Sequence, residues 1–82
     1  MTSELFLQLL DDVVFCVLSD NSETVEEWLD NLPRSWGKLA GLAIILSKDR
    51  IGRTLIDSER RMVWNHLWIN LQKLKLDRKI NI

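Results

Sequence analysis

Apolar residues return every three or four positions through most of this chain, and that spacing constrains its fold more than any other feature. Across residues 3–19, Phe6, Leu9, Leu10, Val13 and Val17 gather on one broad face at about 100° per residue. Glu4, Gln8, Asp11, Asp12 and Ser19 collect on the opposite side, with Phe15 the one misfit in their midst. This is the pattern of an amphipathic helix.

A second helix is predicted over residues 22–32. Asp20 and Glu23 have capping-box spacing, with Asn21 and Ser22 as alternative caps. Glu23, Glu26 and Glu27 suit the positive end of such a helix. Val25, Trp28, Leu29 and Leu32 form a narrow inward stripe, and Pro33 disfavours a helical Leu32 and so marks the end.

The third segment, residues 35–47, is apolar nearly all round, with Lys38 its only interior charge. It reads as the most buried helix. A buried β-strand at LAIIL competes with that assignment, because periodicity alone does not resolve a short apolar run. Gly37 and Gly41, four apart, leave a shallow side where another helix can approach. The same spacing signals membrane dimers only within a long apolar span, which this is not.

KDRIGR forms the next connection, with Gly52 as turn or cap. A fourth helix is predicted over 55–76. Thr54 and Asp57 resemble a capping box, and Asp57 or Ser58 would cap a later start. Residues 77–82 read as a frayed tail. With one proline, three glycines and no repeat in 82 residues, the chain has little room for a linker. The expectation is a single all-α domain, a compact bundle of four helices.

The fourth helix carries two apolar stripes. Val63, Trp64, Leu67, Trp68, Leu71 and Leu74 make the main face, with Trp68 on its rim, so its tryptophans read first as core. Met62, Ile69 and Leu76 recur every seven residues on the back, with Asn65, His66 and Gln72 as a polar border. Either this helix is central, or another molecule covers the back stripe, or those residues are ordinary surface hydrophobes. Phe15, framed by Asp11 and Asp12, is either covered by the tail or an aromatic anchor in an acidic ring.

Charge is split along the chain. Residues 1–33 hold eight acids and no Lys or Arg, while residues 34–82 hold eleven bases and four acids, for a net charge of −1. The simpler reading is neutralisation within the fold or between two copies; the other is two poles for two partners.

Catalytic signatures are missing. One His and one Cys cannot build a His/Cys metal cluster, and His66 has no carboxylate three or four residues away. It reads as a solvated or hydrogen-bonded histidine. Asp11 and Asp12 point about 100° apart on a helix, no phosphate-binding loop precedes a helix, and no motif links Ser35, Ser47 or Ser58 to the histidine. The expectation is a non-enzyme without cofactor. Cys16 cannot pair within the chain, which favours a reducing compartment, and it reads as a small buried hydrophobe. An acidic N-terminus and apolar runs well short of about 20 residues predict a cytoplasmic protein with no membrane partner.

The function this implies is protein binding, as a small regulator, inhibitor or assembly factor. An inhibitor carried by a phage or mobile element, or a small helical subunit of a complex, fits the size. The partner would be another protein or a second copy, met through Phe15, Asp11 and Asp12 and through Met62, Ile69, Leu76 and His66. Nucleic-acid binding is the alternative. Lys48, Arg50, Arg53, Arg60 and Arg61 surround the turn between helices three and four, and Lys73, Lys75, Arg78 and Lys79 follow. A long connection, a recognition helix apolar on two sides and the acidic first half count against it.

Overall fold

In the computed structural model, which describes residues 4–80 and side chains as far as Asp77, the chain folds as an all-α bundle of four helices. They are α1 (Glu4–Asp20), α2 (Ser22–Leu29), α3 (Ser35–Ile51) and α4 (Asp57–Ile80). The expected start at Ser3 lies outside the described residues. LAIIL is helical within α3, which removes the strand assignment.

On α1 the predicted face is the buried one: Leu10, Val13, Val14 and Val17 enter the core, and Phe6, Leu9 and Leu18 pack against it. Asn21 joins α1 to α2. Its side-chain amide donates to the Val17 carbonyl at 2.9 Å instead of capping α2, and its own carbonyl accepts the Val25 N–H at 3.0 Å.

Helix α2 stops at Leu29, before the expected Leu32. The physical reason is a left-handed residue, Asn31 (φ 61°). The Asn31 N–H bonds the Trp28 carbonyl and the Leu32 N–H reaches the Glu27 carbonyl, each at 2.9 Å. That bond pair is the Schellman closure, and Asn is among the few non-glycine residues that take this conformation readily. Leu32 is therefore exposed in the loop and not on the inward stripe. The Ser35 hydroxyl donates to the Leu32 carbonyl at 2.8 Å as α3 begins.

Helix α3 runs past the expected residue 47 to Ile51. Gly52 (φ 81°) closes it, donating its N–H to the Lys48 carbonyl at 2.8 Å. At the start of α4, none of the three predicted caps lies in the capping position. Ile56 does: its carbonyl accepts the Arg60 N–H, and its N–H donates to Glu59 Oε1, both at 3.0 Å. Glu59 thus performs the returning half of a capping box. Arg53 grips the same carboxylate with two bonds of 2.8 Å. The Arg53 guanidinium first, and the Ile56 N–H second, lower the Glu59 pKa from its ordinary 4.5 to about 2.

Helix α4 continues beyond Leu76 to Ile80, so residues 77–80 are helical where a frayed tail was expected, and residues 81–82 lie outside the described residues. Its 24 residues, at about 1.5 Å each, account for most of the 40 Å long axis.

Helix α3 packs against all three other helices. Its Leu39 and Ala43 are fully buried with Val13, Val63, Leu67 and Leu71. Burying each large side chain of this kind contributes about 1.5–3 kcal/mol. Helix α3 is thus central, but the burial nearly all round that its sequence suggested does not hold, because Leu42 and Ile45 are exposed.

Among the tryptophans, Trp64 departs from its expected core position, while Trp28 on the inward stripe and Trp68 on the rim lie where their spacing placed them. Trp28 is buried, while Trp64 and Trp68 are partly open to water and flank the core stripe of Val63, Leu67 and Leu71. Trp68 meets Trp28 and Trp36 edge-on, at centroid separations of 5.6 and 5.5 Å, tying α4 to α2 and α3. Each such pair adds about 0.5–1.5 kcal/mol beyond area burial. The Lys75 ammonium lies 5.4 Å from the Trp28 ring centre.

Candidate protein-docking surfaces

An unfilled apolar trough of about 570 Å³ lies between α3 and α4. Gly37, Gly41 and Ile44 line it from α3, Trp64 from α4 and Leu55 from the connection. Helical spacing explains the floor: Gly37 and Gly41 are one turn apart and carry no side chains. A Cβ built at either glycine meets nothing within 4 Å. Ile45 is 65% exposed and Trp64 40% exposed at its edges. Lys48 and Arg60 stand along it, so the rim is basic. Lys48 has no ion pair among the described residues, and Arg60 sits 3.8 Å from an exposed Asp57.

The glycine spacing made a shallow side legible from the sequence. Trp64 was not legible as its wall, since periodicity places that residue on the core face. Only the position of α3 shows that the bundle leaves it at the edge.

Phe15 occupies a second, smaller hollow of about 430 Å³ between α1 and α4, beside Leu18, Asn70 and Leu74. The side chain is 70% exposed, and no described residue covers it; of the tail that offered one alternative cover, the side chains beyond Asp77 lie outside the described residues. Its acidic frame is committed in part. His66 Nε2 lies 2.5 Å from Asp11 Oδ1, bridging α4 to α1. The histidine thus has a carboxylate partner after all, one that is distant in sequence and invisible to a search of its own helix. Asp12 pairs with Arg50 of α3, which also donates to the Cys16 sulfur at 3.6 Å. Asp12 holds Arg50 more firmly protonated than an isolated guanidinium.

The back stripe of α4 is shorter than predicted. Met62 packs against the core, which leaves Ile69 and Leu76 exposed.

Of the five basic residues around the α3–α4 connection, three meet carboxylates of the same chain: Arg50 with Asp12, Arg53 with Glu59 and Arg60 with Asp57. Lys48 and Arg61 face solvent with no ion pair among the described residues. Also among the described residues, no group of three His, Cys, Asp or Glu side chains is placed to hold a metal ion, and no helix is long and apolar enough to cross a membrane. No protein-family model matches the chain, and neither a curated protein nor a solved structure matches it.

Proposed function

We propose that this chain is a small protein-binding module, acting as a regulator, inhibitor or assembly factor by docking and not by chemistry. The observation that carries this reading is the α3/α4 trough, where Ile45 and Trp64 flank a glycine floor that no described residue fills. A helix laid into such a trough can bring its backbone close to the glycines and bury the Trp64 ring. Trp is one of the residues in which binding hot spots are enriched, and a helix in a groove is a recurring mode of recognition.

The test replaces Ile45 with a photo-crosslinking amino acid in cells that express the protein. The expected result is a covalent adduct with a polypeptide that disappears when Gly41→Leu fills the trough, while circular dichroism stays helical. Absence of any polypeptide adduct, or adducts indifferent to Gly41→Leu, would overturn the reading.

Nucleic-acid binding through Lys48, Arg50, Arg53, Arg60 and Arg61 is the weaker alternative. Phosphates would have to compete with the carboxylates that Arg50, Arg53 and Arg60 already face. Salt-dependent binding of mixed DNA or RNA, weakened by Arg61→Ala and Lys48→Ala together, would favour it.

A further inference from the structure

The outward side of α1 has the features that the trough lacks. Leu5 and Phe15 are 76% and 70% exposed, and Phe15 stays outside the packed core. Glu4, Asp11 and Asp12 lie beside them on a stretch of 33 residues without a single Lys or Arg; Asp11 and Asp12 are met by His66 and Arg50 of the same chain, yet their side chains stay 72% and 53% exposed. This is an amphipathic helix face of apolar anchors between carboxylates. The trough is the converse: apolar walls, room for a helix and a rim of Lys48 and Arg60.

The two surfaces point away from each other. Arg50 reaches α1 through Asp12 and Cys16, so it marks the side of α3 that faces α1. At about 100° per residue, Gly41 lies half a turn from Arg50. A molecule therefore presents its acidic helix on one side and its basic-rimmed trough on the other.

We infer that the occupant of the trough is α1 of a second copy of this chain, docked head to tail. This rests on the docking reading above. Because donor and acceptor lie on opposite sides, two copies joined in this way leave one acidic helix and one trough unused. The contact is heterologous, and it extends into longer assemblies as concentration rises. Opposite charges orient the encounter, so assembly weakens as salt is raised.

Solution mass is measured by sedimentation over a concentration series, in dilute buffer and at about 0.5 M salt, a concentration that screens surface charge. The parent is expected to grow past the dimer, less so at high salt. Phe15→Lys destroys the anchor and keeps the trough; Gly41→Leu fills the trough and keeps the anchor. Each variant alone should be monomeric, with self-association reduced at least ~tenfold, the effect of losing one good anchor. Mixed together they should form a one-to-one heterodimer that grows no further, since each supplies the half the other lacks. Phe15 is outside the core and Gly41 faces open space, so both variants fold, which their circular dichroism checks.

A parent that stays monomeric throughout overturns the inference. So do variants that assemble like the parent, which would place self-association elsewhere, and so does a mixture that fails to pair. An Ile45 adduct with a foreign polypeptide alongside a monomeric parent would leave the docking reading standing and remove only the second copy.

Discussion

Two faces of α3 use small residues to opposite ends. On the side turned toward α1, the small Ala43 is fully buried beside Leu39, and Arg50 closes that side onto Asp12. Half a turn away, Gly37 and Gly41 meet nothing, and the space between them and Trp64 stays open. A missing side chain draws helices together where a neighbour fills the gap, and makes a trough where none does. The difference lies in what stands opposite and not in the residue itself. Sequence alone can therefore show that a helix has a shallow side without showing whether that side is covered.

The comparison is open to attack by substitution, starting with the core that supports the closed side. Leu67 is fully buried, so Leu67→Ala should cost about 2–5 kcal/mol, read as a lower urea midpoint in dilute solution. A loss near zero would mean that the bundle is not packed as described. The sharper test sets one substitution against itself on the two faces. Ala43→Leu should overpack the closed side and cost about 1–3 kcal/mol. Gly41→Leu should instead stabilise by roughly 0.5–1 kcal/mol, because it removes a helix-interior glycine and meets open space. Equal signs in the two unfolding curves would erase the distinction between the faces.

The smallest effect concerns the connection that holds the trough's end. The Glu59 pKa is lowered in the fold, so its contribution is present above its ordinary value of 4.5 and lost as pH falls toward about 2. The stability gap between the parent and Glu59→Gln should narrow over that interval. A gap independent of pH would show that the Arg53 and Ile56 contacts to this carboxylate do not persist in solution.

Much of the architecture was legible because it is local. The α1 face, the number of helices and the cap at Gly52 all follow from spacing and from one residue's conformational freedom. The early end of α2 was not legible, because Pro33 is the louder signal and the left-handed turn at Asn31 precedes it. The start of α4 was misread for a related reason. A cap built by Glu59 and held by Arg53 leaves Ile56, an unlikely capping residue by type, at the boundary. Contacts such as His66 with Asp11 and Arg50 with Asp12 join distant segments, so no periodicity within one helix reveals them. The candidate surfaces were half visible, in the trough's glycines and in Phe15 of the separate α1/α4 hollow, and half hidden, in Trp64 and Ile45.

The arrangement of indoles gives the molecule two separate optical reporters. Trp28, Trp36 and Trp68 meet edge-on across three helices, so their coupled transitions give a near-ultraviolet dichroic signal that exists only while those helices are assembled. Trp64 takes no part in a ring–ring contact among the described residues and borders the trough, so its emission shifts when water there is displaced. Comparison with Trp64→Phe isolates its share of the emission, since all four indoles absorb and emit in the same bands.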